Sequence, residues 1–236
     1  MLAVSSLILI AACNQAGEEY DMLVPKIDKA GIAAADVPAL MSEYGVEYHR
    51  IETVDWPEVQ SYLPFVEFAI AHNSSSILIH YRVDELTVRA MAGEDHGHVW
   101  EDSCVEFFCV PDSTTHNYYN VECNCIGTLH IAGGAQRKDR VYADAGVMAG
   151  VDRWASLGRE AFEERPSEGV WEVALVIPVT TFFLDDIKSM DDLTITANFY
   201  KCGDALEHPH FVSWAPIDIP KPNFHRPDFF RPIHFE

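Results

Sequence analysis

The sequence predicts an all-β fold: an antiparallel β-sandwich, immunoglobulin- or jelly-roll-like, with long loops and little helix. Three observations predict it. Past residue 45 apolar and polar side chains alternate with period two, turn signals separate the alternating runs, and helical periodicity is thin. Successive side chains of a strand point to opposite faces, so alternation marks a strand with two unlike sides. Many short strands joined by turns make a sandwich or barrel.

Taken in order, Val37 to Tyr44 has room for two helical turns. The first clear strand sets Ile77, Ile79, Tyr81 and Val83 against Leu78, His80 and Arg82. Next, Val105, Phe107 and Cys109 alternate with Cys104, Glu106 and Phe108. Tyr119, Val121, Cys123 and Cys125 alternate with Tyr118, Asn120, Glu122 and Asn124. Trp171, Val173, Leu175 and Ile177 follow, stopped by Pro178, which cannot donate to a sheet ladder. Thr180 to Asp186 can form one helical turn, and Leu193, Ile195, Ala197 and Phe199 form the last strong run. Pro111-Asp112-Ser113, Gly133-Gly134, Ser167-Glu168-Gly169 and Gly203-Asp204 read as turns between them. Pro216 to Glu236, rich in Pro and Phe, is expected to wrap the sandwich and press aromatic rings against it.

A length of 236 residues fits one sandwich with loops, expected over residues 21–236 behind a leader and tether at residues 1–20. Hydrophobic residues at 48% and charged residues at 22% are globular values. The net charge of −21, from 37 acidic residues against 16 Lys and Arg, repels a phosphate backbone and excludes nucleic acid as a natural partner. It equally disfavours anionic lipid. None of the six cysteines sits in a CxxC pair, the common zinc spacing, and buried free thiols are expected, with one long-range disulfide as the alternative.

Leu2 to Ala12 is a short apolar run ending in Ile10-Ala11-Ala12-Cys13, the form of a bacterial lipoprotein signal whose cysteine is lipidated. It is too short to span a bilayer as a helix, so contact with a membrane is expected only through a lipid at Cys13. The acidic residues Glu18, Glu19 and Asp21 then resemble a surface-export signal of Gram-negative lipoproteins. The expected setting is the cell surface or periplasm. The first basic residue is Lys26, whereas a signal peptide opens on Lys or Arg, so an apolar first strand is the competing reading.

One feature of the strands points to function. Glu106, Asn120, Glu122, Asn124 and Asn198 fall at alternate positions and can share one sheet face. A solvated outer face is common in antiparallel sheets. Yet Asn and Glu are poor strand formers, and several within strong strands favour a polar ligand-binding floor.

Trp100-Glu101-Asp102-Ser103-Cys104-Val105-Glu106-Phe107-Phe108 resembles the W-x-D-x-x-x-E-x-F strand of family 9 carbohydrate-binding modules, within the DOMON-like superfamily. Tyr118 to Gly127, Trp171 to Pro178, Asn198 to Lys201 and Phe211 to Trp214 are similar to its later strands, so the resemblance runs from about Ile77 to the end. It implies a non-catalytic sandwich that clamps a sugar ring between two tryptophans while charged and amide groups bond the hydroxyls. Plant-type β-glucan or xylan, or oligosaccharides derived from them, are the implied ligands, with separately encoded glycoside hydrolases as partners. Trp100 and Glu106 match the clamp and the glutamate. Trp214 is the best match to the second clamp, with Trp154 as a rival, and Arg137, Lys138 or Arg140 match the basic residues. A pyranose offers a C–H face that stacks on an indole and a belt of hydroxyls that carboxylates and Arg can bond. The expected ligand-binding set is therefore Trp100, Glu106, Asn120, Glu122, Arg137, Asn198 and Trp214.

Calcium is bound by some family members, and Asp95, Glu101 and Asp102 are the acidic cluster placed to hold it here. Three other functions compete. DOMON-like haem domains use Met and His, and Met91, His96, His98 and His130 are present. A glycoside hydrolase needs paired carboxylates, for which Glu106 and Glu122 are the neighbours. A structural or adhesive sandwich would bind nothing.

Overall fold

The computed structural model describes residues 20–236, so the leader reading and the lipidation at Cys13 fall outside the described residues. Two antiparallel sheets form the sandwich. The larger runs in the order Met22–Val24, Arg231–Phe235, Thr194–Cys202, Cys104–Val110, Tyr118–Asn124, Leu129–Gly134 and Val141–Tyr142. Phe211–Ser213 and Thr53–Val54 extend it beside the C-terminal end of Thr194–Cys202. The smaller runs Asp152–Ala155, Trp171–Pro178, Ser76–Asp84, Phe65–His72 and His49–Arg50. Met22–Val24 is unusual in pairing parallel to its neighbour, Arg231–Phe235.

Each strand read from alternation is present, and the alternation decides which side chains meet. Ile79 and Tyr81 from the smaller sheet, and Phe107 and Val121 from the larger, point into one core. Phe68 and Phe199 stack across the sheets with centroids 3.8 Å apart, and Phe107 lies 5.1 Å from Phe199. Burying one such ring contributes about 1.5–3 kcal/mol. Trp171 is a core residue, as its alternation predicts, and its Nε1 donates to Glu85 at 2.8 Å. Cys104, Cys109, Cys123, Cys125 and Cys202 are buried free thiols.

The outer face of the smaller sheet carries Ala69, Ala71, Leu78 and Ala174. These mostly small side chains leave room for the helix Val37–Glu43, which lays Val37, Leu40 and Met41 on them at i, i+3 and i+4 spacing. Pro38 stands in the first turn, where a missing N–H is no loss. Trp154, the rival clamp residue, packs against this same cluster from the strand Asp152–Ala155 rather than from a loop.

Two local readings change. Gly133-Gly134 closes the strand Leu129–Gly134 instead of forming a turn. A Cβ on Gly133 would sit 2.7 Å from Cε1 of Tyr119, so the glycine serves a close approach between strands. The turn follows at residues 135–140. A short helix at Ala145–Gly150 is hidden in the sequence by its two glycines, and Asp144 caps it by accepting from the N–H groups of Gly146 and Val147 at 2.9 Å. The helical turn expected over Thr180 to Asp186 is displaced towards the preceding strand, as the 3₁₀ turn Val179–Thr181.

Candidate functional site

The outer face of the larger sheet is not solvated. It floors a cavity of about 410 Å³. Strand register sets Tyr200 opposite Glu106, Glu106 opposite Glu122, and Glu122 opposite His130. The four make one row across four neighbouring strands. Asn120 lies beside this row on the same face, and its Nδ2 donates to Glu122 Oε1 at 2.9 Å. Glu106, Asn120, Glu122 and His130 are all buried, though each reaches the cavity lining.

Two walls rise from this floor. The 3₁₀ turn Val99–Glu101 carries Trp100, whose ring stacks on His98 at 4.7 Å and meets His130 edge-on at 5.5 Å. Tyr142 stands next to it, 5.0 Å from His130. Opposite, the C-terminal segment brings Phe224 flat onto Tyr200, with centroids 4.1 Å apart, and seats His225 on the Tyr118 hydroxyl at 3.0 Å. The segment is bolted down by Trp56, whose Nε1 donates to the Ile219 carbonyl at 2.7 Å, and by Asp55, which accepts from the Ile217 N–H at 2.8 Å. Arg140 closes the third side: it donates to the Asn120 side chain and to the carbonyls of Gly134 and Ala132, over the Tyr118 ring at 3.8 Å. Arg137 is exposed on the rim.

Burial pushes the titratable groups of the floor towards their uncharged forms. Burial, reinforced by Glu122, pushes the Glu106 carboxyl well above the usual carboxylate range. Burial also pushes Glu122 up to about 8, against the Asn120 hydrogen bond and Arg140. Burial, helped by His96 and Arg140, pushes His130 down to about 4. Four buried polar atoms in this floor and its edge have no protein partner: Glu106 Oε2, Glu122 Oε2, His130 Nδ1 and Arg140 Nε. Native interiors leave few such atoms without water or ligand. Neutral acids and a neutral imidazole can both give and take hydrogen bonds, which is what a hydroxyl-rich, uncharged ligand requires.

These shifts make a pH prediction. An imidazole held at about 4 binds fewer protons folded than unfolded between 4 and 6.5. Its contribution to stability is complete above pH 6.5 and is lost as pH falls towards 4. Glu122, raised from 4.5 to about 8, acts in the opposite sense: its contribution is complete below 4.5 and lost as pH rises to about 8. Comparing wild type with His130→Gln cancels the carboxyl contribution and isolates the imidazole, which faces His96, His98, Trp100, Tyr142, Glu122 and Arg140. The wild type is expected to lose more stability between pH 7 and pH 5 than His130→Gln, read from urea midpoints. Equal losses would rule the imidazole out as the cause.

The sequence of residues 35–235 matches the model of carbohydrate-binding family 9. The chain belongs to that family. A crystal structure of a candidate carbohydrate-binding protein from Bacteroides uniformis is 46% identical, over 91% of this chain and 98% of that one, with a TM-score of 0.88. Two structures of a family 9 module from Caldicellulosiruptor kristjanssonii, in complex with glucose and with cellotriose, share the fold at TM-scores of 0.59. They are 11% and 9% identical to this chain, each over 91% of it and over 95% and 93% of the module. No curated protein matches the chain.

Within this family 9 chain the structure gathers Trp100, Glu106, Asn120, Glu122 and Arg137 at one cavity, but not Asn198 or Trp214. Asn198 shares their sheet face, yet its amide is spent on the backbone of Ala215, donating to the carbonyl and accepting from the N–H, both at 2.9 Å. Trp214 turns inward, edge-on to Phe199 at 5.7 Å and to Phe68 at 6.2 Å, and its backbone N–H donates to the Phe199 carbonyl at 2.9 Å. It is partly buried and packs against the core between the sheets. The aromatic wall facing Trp100 is instead Phe224, with Phe211 behind it. Of the basic candidates, Arg137 and Arg140 line the cavity and Lys138 does not.

The acidic loop does not bring its three carboxylates together. Asp95, Glu101 and Asp102 form no cluster of ligand atoms. Asp95 is held by both guanidinium nitrogens of Arg153, at 2.6 and 2.9 Å, and accepts from the Leu129 N–H. Glu101 pairs with His98 at 3.2 Å. Asp102, fully buried, accepts from Arg89, the N–H groups of Met91 and Ala92, and Asn124 at 2.8–3.0 Å. The carboxylates of Asp95 and Asp102 are thus already taken up by protein donors. Asn124, expected on the floor, belongs to this same clamp. Met91 lies outside the cavity, so no Met–His pair spans it.

Proposed function

We propose that the cavity binds an oligosaccharide of plant β-glucan or xylan type, stacking a sugar ring on Trp100 and bonding its hydroxyls to Glu106, Glu122, Asn120, His130 and Arg140. The observation that carries this reading is the set of buried, unpartnered polar atoms beneath two aromatic walls. An apolar ligand would leave them desolvated at about 1–3 kcal/mol each. The cavity is within the range of small-ligand sites, roughly 300–1,000 Å³. The glucose and cellotriose held by the Caldicellulosiruptor module support a glucan-type ligand.

Binding without cleavage is part of the proposal. Glycoside hydrolysis needs one carboxylate ionised while its partner stays protonated. Here burial shifts Glu106 and Glu122 in the same direction, rather than setting one apart as the acid and the other as the base. The protein would then present sugar to separately encoded hydrolases, from an exported position anchored at Cys13. The test is calorimetric or fluorescence titration with cello- and xylo-oligosaccharides, beside an assay for reducing ends. Saturable binding with no reducing-sugar release is expected. Release of reducing ends would replace this reading with hydrolysis, and silence from every sugar would remove the binding claim.

A further inference from the structure

Cys104 and Cys202 stand directly opposite each other on neighbouring antiparallel strands, on the cavity side of the larger sheet. Their sulfur atoms and a carboxylate oxygen of Glu106 all lie within 4.8 Å of one another. Cys202 Sγ donates to Glu106 Oε1 at 3.1 Å, while Glu106 Oε2 has no partner. The exposures of Cys104, Cys202 and Glu106 are 0%, 1% and 3%, yet Cys202 and Glu106 reach the cavity lining. Cys109, Cys123 and Cys125 differ: they pack in the apolar core between the sheets.

From this geometry we propose a binding site for a thiophilic divalent cation, with Cys104 Sγ, Cys202 Sγ and Glu106 as its protein ligands and a fourth position open to the cavity. Two thiolates and a carboxylate suit zinc and its chemical relatives rather than calcium or magnesium. Zinc bond lengths place tetrahedral ligand atoms roughly 3.6–3.8 Å apart, which small side-chain rotations reach from these positions. The ligands come from strands far apart in sequence, which explains why no CxxC spacing announces them. Binding releases the two thiol protons to solvent, so affinity rises with pH. Because the cation engages Glu106, it also competes with any sugar that uses that carboxyl. This last consequence alone rests on the function proposed above.

The test is a titration of the reduced full chain with Co²⁺, read by thiolate-to-metal charge-transfer absorption, with Zn²⁺ as the displacing ion. One equivalent of Co²⁺ is expected to bind. Cys104→Ser and Cys202→Ser should abolish the absorption, Glu106→Gln should keep it but weaken affinity by about tenfold or more, and Cys109→Ser should change nothing. Circular dichroism checks folding, and alanine replaces serine at either cysteine whose variant unfolds. No absorption at millimolar Co²⁺, or absorption that survives in both folded cysteine variants, overturns the site. Sugar titration with saturating Zn²⁺ is then read separately. Weakened sugar binding supports the shared Glu106, and unchanged sugar affinity overturns the competition. Metal binding without any response to sugar would keep the site and reject the proposed function.

Discussion

Asp102→Ala is expected to lower the stability of the fold by about 3–5 kcal/mol, the range for removing one partner of a buried ion pair. The carboxylate is fully buried and takes four hydrogen bonds, from Arg89, two backbone N–H groups and Asn124. Its loss removes the shared acceptor of the Arg89 guanidinium, two backbone N–H groups and the Asn124 amide. The same bonds hold residues 91–92 and the turn of Trp100 against the sheet, so the damage reaches the cavity as well as the core. Guanidinium unfolding at pH 7 measures it. Asp112→Ala is the comparison: the Asp112 carboxylate bonds only Thr114 at an exposed turn, and its removal is expected to leave the unfolding midpoint nearly unchanged. A loss below about 1 kcal/mol for Asp102→Ala would show that the carboxylate is not the clamp described above.

Trp100→Ala is expected to weaken oligosaccharide binding by roughly 30-fold or more, equivalent to about 2 kcal/mol, the size of a central aromatic contact. Stability should change less than affinity, because the ring is half-buried at the cavity edge, on His98, His130 and the small cluster of Val99, Cys104 and Cys202. Trp214→Ala should do the reverse. Its ring packs edge-on against the stacked pair Phe68 and Phe199, so the cost falls on unfolding and sugar affinity is kept. Calorimetric titration and denaturant midpoints on both variants separate the two tryptophans. Equal affinity loss in both would restore the two-tryptophan clamp, and no loss in Trp100→Ala would move the sugar elsewhere.

What the sequence made legible follows from the rigidity of the strand repeat. Period two assigns a face to each residue with no knowledge of the partner strand, so Glu106, Asn120 and Glu122 could be placed together before their register was known. Asn198 shows where that reasoning stops. It has the right parity, but which backbone it meets depends on the path of the chain through Ala215, a tertiary fact. Trp214 fails for the same reason, lying just past a three-residue strand whose direction periodicity cannot fix. Asp102 and Asp95 look like cation ligands in sequence, because a carboxylate awaiting calcium and one awaiting arginine are spelled alike. The aromatic C-terminal segment was legible as a wrap. That it forms the wall opposite Trp100 was not, since Phe224 carries no periodic signal.

The outermost strands of both sheets are brief. Met22–Val24 and Val141–Tyr142 bound the larger one, and Asp152–Ala155 and His49–Arg50 the smaller, none longer than four residues. A long bare edge presents a row of unpaired N–H and C=O groups on which a second chain can grow a sheet. Such short margins offer a neighbour only a few rungs, and the net charge of −21 repels it before it arrives. The molecule is thus built to be crowded with copies of itself without growing into a continuous sheet.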